Sequence, residues 1–333
     1  MEYRALGRTG VQVSPLCLGA MAFGRENEAE GIRVVHRALD AGINFIDTAD
    51  RYSGGASEEM LGKALHGRRD EVVLATKFHL PMGDDVNQRG NSRRWIVRAV
   101  EGSLKRLRTD HIDLYQAHRP DGDVEETLSA LTDLVRAGKV RYIGSSTFPA
   151  SQIVEAQWFS RDRRLERFVC EQPPYSILVR GIEIDVLPTT LRHGMGVIPW
   201  SPLAGGWLSG KYRKGASFTS RRMEYMRERF DYTLPHNARM LEAADALGAL
   251  ADEAGMPLVE LALAWVINHP GITAAIVGAR TVEHLEGHLP AASHTLDTAL
   301  LDRIDEIVPP GTNVRSVDGG YDNPALEPAA RRK

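Results

Sequence analysis

Along its 333 residues this chain repeats one unit eight times: a short apolar run followed by a longer amphipathic segment. The runs fall at 16–21, 44–48, 72–76, 113–118, 140–145, 168–172, 196–200 and 273–277. The segments after them are predicted helices over 29–41, 57–66, 92–107, 124–137, 150–159, 183–193, 238–254 with 258–269, and 282–289. They often begin after Ser, Thr or Asp and end near Gly, as helix termini do. Strand-then-helix alternation implies a parallel sheet with right-handed crossovers. Eight units fit a closed (β/α)8 barrel of the α/β class better than an open sheet. No repeat or Gly/Ser linker divides the chain, so 1–333 reads as one domain. Within 1–14, Gly7 and Gly10 mark a turn between two short extended stretches, a β-hairpin ahead of the first barrel strand. Two segments break the rhythm: a long Gly-, Ser- and Arg-containing connection over 203–235, and a Pro-, Gly- and Arg-rich tail over 310–333 that wraps or frays.

The net charge of −3 and a pI near 6.4 give no electrostatic reason to expect nucleic acid or a membrane surface. The only cysteines, Cys17 and Cys170, lie in apolar runs with no CxxC pairing, as buried thiols in a reducing compartment would. The N-terminus lacks the apolar core of a signal peptide, and no stretch approaches the ~18 apolar residues of a membrane helix. A cytoplasmic protein is the expectation.

Several familiar chemistries find no support. The first strand is followed by Leu18-Gly19-Ala20-Met21-Ala22-Phe23-Gly24, not by a GxGxxG fingerprint. Gly205 to Lys211 approaches a phosphate-binding P-loop, but Tyr212 follows where Ser or Thr would hold a metal. His284 and His288 have the spacing of a metal pair without an obvious third ligand, so no metal is expected.

The positive signal sits at strand ends. Asp47 and Tyr52 follow the second run, Lys77 ends the third and His118 the fourth. Taken singly, Asp47 could cap a loop, Tyr52 could pack, Lys77 could be a solvated strand end and His118 a satisfied core histidine. Parallel barrel strands, however, bring all their C-terminal ends to one face, where catalytic groups belong. Four such residues at successive ends converge on one mouth.

With Phe-Ile-Asp-Thr-Ala-Asp-Arg-Tyr, Ala-Thr-Lys and Gln-Ala-His-Arg-Pro in this order, the chain resembles the aldo-keto reductases from its hairpin to about residue 290. The resemblance implies a soluble enzyme moving hydride between a nicotinamide cofactor and a small carbonyl or alcohol substrate. It assigns catalysis to Asp47, Tyr52, Lys77 and His118. Hydride addition leaves negative charge on oxygen, so Tyr52 is the expected general acid. A phenol of pKa about 10 donates poorly at neutral pH, and Lys77, held charged by Asp47, is expected to lower that value. His118 would orient the carbonyl oxygen. His at this position fits carbonyl reduction better than the carbon–carbon double-bond reduction of one branch.

For the cofactor, the resemblance implies Ser146, Thr147 and Gln172 on the carboxamide, with Thr147 replacing a usual Asn. Asp47, Ala20 and Met21 border the nicotinamide and Trp200 stacks on it. Ser201, Pro202, Leu203 and Gly205 approach the pyrophosphate. Lys211 and Arg221, in the loop over 203–235 that would cover the cofactor, clamp phosphates. Gly278 and Arg280 form the adenosine-end turn, Arg280 facing a 2′-phosphate. His284 and His288 stand where relatives carry other residues, His288 behind Gly287. NADPH is favoured over NADH. Met21, Ala22, Phe23, Phe78, His79, Arg119 and Tyr232 are candidates for the substrate mouth, and Arg119 either attracts an anionic substrate or is a solvated rim charge. Two other roles remain open: the same site run as an alcohol or sugar dehydrogenase, or an NADPH-binding redox-sensing subunit resembling potassium-channel β subunits. The helices' outer surfaces carry no readable interface signal.

Overall fold

In the computed structural model, residues 1–215, 223, 226–231, 233–321 and 323–331 are described. Strands β1 (Arg4–Ala5) and β2 (Gln12–Val13) form the antiparallel hairpin. Eight parallel strands follow: β3 (Leu16–Gly19), β4 (Phe45–Asp47), β5 (Val73–Phe78), β6 (Ile112–Ala117), β7 (Val140–Ser146), β8 (Phe168–Gln172), β9 (Gly196–Val197) and β10 (Ala275–Val277). Each pairs with its sequence neighbour, and β10 pairs with β3. The seam between β9 and β10 is closed by Thr273 N donating to Val197 O at 2.8 Å and Ile276 N to Pro199 O at 2.9 Å. The result is a (β/α)8 barrel.

Amphipathic helices cover the sheet: α1 (Glu28–Asp40), α2 (Ala56–Ala64), α3 (Arg93–Leu107), α4 (Val124–Arg136), α5 (Ala150–Arg163), α6 (Val186–His193), α7 (Pro235–Glu253), α8 (Leu258–Asn268) and α9 (Val282–Glu286). In α3 the buried residues Trp95, Ile96, Ala99, Val100, Ser103, Leu104 and Leu107 recur at helical spacing, and Ser92 caps the first turn by accepting from Trp95 N. Two cores result. One lies between sheet and helices; the other, Leu6, Val13, Cys17, Phe45, Ala75, Leu114, Cys170, Ile198, Ala274 and Ile276, fills the barrel. Leu6 and Val13 come from the hairpin, which plugs the barrel's N-terminal end. The approach is close enough that a Cβ on Gly7, itself at φ +55°, would lie 2.7 Å from Gly196 N.

Differences from the sequence expectations have local causes. β9 is two residues long instead of five because Pro173, after β8, has no N–H to donate to the Ile198 carbonyl; pairing resumes as a single bridge between Pro174 and Trp200. The helix expected over 282–289 stops at Glu286 and gives way, before Pro290, to a 3-10 turn over Leu289–Ser293. A further helix, α10 (Thr298–Ile307), is capped by Asp297, which accepts from Leu300 N, and is tied to α7 by an Arg303–Glu253 ion pair. The tail does wrap: Arg180 N donates to Thr312 O and Val314 N to Leu178 O, carrying residues 311–321 across the C-terminal mouth. Among the described residues no helix is long and apolar enough to cross a membrane.

Candidate active site

Strand periodicity builds the site. Cys17, Phe45, Ala75, Leu114, Cys170 and Ile198 point into the barrel. Two residues further along the same chain segments, and so on the same face, come Gly19, Asp47, Lys77, Gln116, Gln172 and Trp200. An apolar layer is thus capped by a polar one. Within it, Lys77 Nζ donates to Asp47 Oδ1 at 2.6 Å, to the Thr48 carbonyl at 2.8 Å and to the Tyr52 hydroxyl at 3.2 Å. Lys77 is fully buried and Asp47 nearly so. The second Asp47 oxygen accepts from Gln172 Nε2 at 2.9 Å and Gln116 Nε2 at 3.2 Å. Three donors on one carboxylate hold it in a single orientation.

Tyr52 begins a tight turn, Tyr52–Gly55, in which Ser53, Gly54 and Gly55 all have positive φ. Ser53 anchors that turn by donating to the Phe23 carbonyl at 3.0 Å. His118 meets the Tyr52 ring edge-on, 5.9 Å between centroids. The four sequence candidates therefore share one cluster. Burial holds the Tyr52 phenol above its ordinary pKa, with Lys77 pulling the other way. The expected net lowering by Lys77 is not what the geometry produces: desolvation outweighs it. For Lys77 itself, burial favours the neutral amine, yet Asp47 and Tyr52 more than offset it and the pKa is raised. His118 is pushed well down, first by burial and then by Lys77, Arg119 and His79. It is a neutral imidazole at pH 7, and its buried Nδ1 has no hydrogen-bond partner among the described residues.

Behind Tyr52 lies a second acidic layer. Glu58 accepts from Thr76 Oγ1 at 2.6 Å and Arg106 Nε at 2.7 Å. Asp50 is fully buried, and among the described residues its carboxyl oxygens accept no well-formed hydrogen bond, the Arg51 amide offering a weak one. Its pKa is pushed up to about 8, by burial and then by Glu58, against the weaker pull of Arg106, the Arg51 amide and Lys77.

The cofactor candidates divide by place. At the β7 end, Ser146 Oγ donates to the Gln172 carbonyl at 2.8 Å, and Thr147 is at φ 60°. Gln172's side-chain nitrogen is committed to Asp47. Trp200 is half-buried at the mouth; Ser201 beyond it is at φ 59° and accepts from Gly205 N at 2.8 Å, with Pro202 buried and Leu203 partly so. Positive φ at non-glycine residues ending strands marks strain stored on this face. At the far end, exposed Lys211 and Arg280 lie close enough to His284 to hold its pKa down after burial has done so, near exposed Gly278. His288 is buried instead, its pKa pushed down to about 4, and its Nδ1 has no hydrogen-bond partner among the described residues. Ala20 is fully buried with its amide on Asp47 O and its carbonyl on Ser57 Oγ, while Met21 is 58% exposed. Phe23 and Phe78 are core residues and do not line the mouth; His79 and Arg119 are half-buried there. Arg221 and Tyr232 lie outside the described residues.

Three features escaped sequence reading. Gln116 was signalled only by its alternation with His118. Glu171 is fully buried with a pKa raised by burial to about 7; it accepts from Ser145 Oγ and from Phe148 N at 3.1 Å, pinning the turn that carries Thr147. The tail meets the mouth where Arg119 Nη1 donates to the Gly320 carbonyl at 2.6 Å and Arg229 pairs with Asp318 at 2.9 Å. A Cβ on Gly320 would lie within 3.2 Å of Pro174, Thr147 and Trp200.

Comparison with known proteins agrees with this architecture. The model of the Aldo/keto reductase family matches residues 15–309. The "Uncharacterized oxidoreductase YrpG" of Bacillus subtilis is 43% identical, over 93% of this chain and 96% of its own. The Arabidopsis thaliana protein named "Probable voltage-gated potassium channel subunit beta" is 35% identical, over 92% and 97%. "Norsolorinic acid reductase B" of Dothistroma septosporum is 33% identical, over 93% and 82%.

Proposed function

Because this chain belongs to the aldo/keto reductase family and is an NAD(P)H-dependent oxidoreductase, we propose that it reduces aldehydes or ketones to alcohols with NADPH, Tyr52 giving up the proton. The observation that carries this reading is the buried Lys77 ammonium, 2.6 Å from Asp47 and 3.2 Å from the Tyr52 hydroxyl. A nicotinamide cofactor supplies the hydride. As that reaction proceeds, the carbonyl oxygen gains negative charge and the Tyr52 hydroxyl protonates it. The phenol is protonated at neutral pH, as a free one is, so the proton is there to give; burial makes it a weaker acid, and Lys77 opposes that by stabilising the phenolate left behind. Asp47, fixed by Gln116 and Gln172, keeps Lys77 charged. Neutral His118 offers a ring N–H to the carbonyl oxygen without repelling Lys77, as electrostatic preorganisation requires.

The residues present suit NADPH. Lys211 and Arg280 bring two cations from two segments beside a His284 ring that burial and these cations keep neutral, a pair of charges that a 2′-phosphate would complement. Trp200, with the strained Thr147 and Ser201, would hold the nicotinamide end, and Gly205 and its neighbours the pyrophosphate. Fluorescence titration with NADPH and NADH, then turnover of an aldehyde and ketone panel, tests the reading. Tyr52→Phe is expected to abolish carbonyl reduction and leave the NADPH titration near normal; most of the turnover surviving would remove Tyr52 from the acid role. The likeness to a protein named as a potassium channel subunit favours one second reading, a cofactor-binding regulatory subunit. Tight NADPH binding without turnover of any carbonyl or alcohol would favour it.

A further inference from the structure

Between the end of β6 and the tail lies a cavity of about 240 Å³ whose lining includes Arg119, Trp200, Ser201, Arg229, Asp318 and Gly320. Its charges are unevenly matched. Asp318 is held by both terminal nitrogens of Arg229, at 2.9 and 3.2 Å, so that pair is neutral. Asp47, the acid of the catalytic layer, is taken up by Lys77. Arg119 has no acidic partner among the described residues; its protein hydrogen bond is Nη1 to the Gly320 carbonyl. A half-buried guanidinium without a counter-ion bears a desolvation cost that a ligand anion would offset. One uncompensated guanidinium, with donors left over in a planar fork, matches a carboxylate in charge and shape.

Arg119 directly follows His118. Its charge reaches both Tyr52 and His118, adding to the downward push on His118 and weakly opposing the burial that keeps the Tyr52 phenol raised. A ligand anion on Arg119 would therefore set its carbonyl near the reacting groups. We propose that Arg119 selects carbonyl substrates that carry a carboxylate, in a cavity suited to compounds smaller than drug-sized ligands. The proposal rests on the reductase reading above. The same guanidinium also straps the tail to the barrel, and a role confined to that is the competing explanation.

The experiment compares 4-carboxybenzaldehyde with benzaldehyde, with NADPH in excess, for wild type, Arg119→Met and Arg119→Lys. Wild type should favour the carboxylated aldehyde by about tenfold or more in kcat/KM, mostly through KM, and less at high ionic strength. Arg119→Met should cut that ratio about tenfold and Arg119→Lys should retain part of it. A wild-type ratio near one, or an Arg119→Met ratio within twofold of wild type, overturns the proposal while the reductase reading stands. Wild type inactive on both aldehydes overturns the two together. If Arg119→Met does not fold, wild-type inhibition decides: benzoate should compete with benzaldehyde far better than benzamide does, and equal inhibition overturns the proposal.

Discussion

Asp50→Asn should make this protein more stable, by an amount that grows with pH. Asp50 is fully buried, its oxygens have no well-formed hydrogen bond among the described residues, and its pKa is about 8 against an ordinary 3.8. At about 1.4 kcal/mol per pH unit, that difference sets a ceiling of roughly 6 kcal/mol on the cost of the acid relative to a neutral isostere. Because the folded protein holds this proton more tightly than the unfolded chain, the cost is absent below about pH 4. It rises as pH climbs through the interval, and levels off above about 8. The groups facing Asp50 from α2, α3 and β5 are Glu58, Arg106 and Lys77. Asn resembles the protonated acid in shape and cannot ionise. Between pH 5.5 and 8 its advantage should widen by about 3 kcal/mol, or about 1 M in urea midpoint for a slope near 3 kcal/mol/M. Urea unfolding of both proteins, followed by tryptophan fluorescence at pH 5.5, 7 and 8.5, measures this. Parallel pH profiles would mean that Asp50 is ionised in the folded state, and the argument from its isolation would fall.

Two further outcomes follow from the site. Lys77→Met strands Asp47 as a buried charge and should cost about 3–5 kcal/mol, most of it recovered in Asp47→Leu/Lys77→Met; equal losses in the single and double variants, read as midpoints of denaturation, would deny the pair's coupling. Arg280→Ala should weaken NADPH about tenfold, the worth of one exposed charge-assisted contact, and NADH less than twofold; equal weakening of both in equilibrium titration would detach Arg280 from the 2′-phosphate.

What could be read in advance, and what could not, follows the range of the forces involved. The barrel and the four clustered residues were legible because strand periodicity is local: two residues past each buried apolar position comes the one that crowns the barrel, as Phe45 leads to Asp47 and Ala75 to Lys77. By the same rule Leu114 leads to Gln116, which was passed over because one amide in an apolar strand does not announce a partner on another strand. α10 carried its own signal, Asp297 before Leu300, Leu301 and Ile304, although the apolar runs had ended. The tail carried none: Arg119 and Gly320 meet across 201 residues of chain, and no local pattern encodes that.

Tyr52 marks a different kind of boundary. The sequence identifies one influence on the phenol, the Lys77 ammonium that favours ionisation, but not the burial that opposes it, nor which is stronger. Strength depends on depth, and depth is set by elements far apart in the chain: the Tyr52–Gly55 turn pinned to Phe23, the edge of His118, and the floor of β5 beneath. Burial wins, so the phenol is a weaker acid than a free one; it is protonated at neutral pH as any phenol is, with Lys77 already aimed at the charge it will leave. For a proton donor in reduction this is the useful order of events. The acid is held in its loaded form, and the group that stabilises its conjugate base needs no rearrangement when the proton departs.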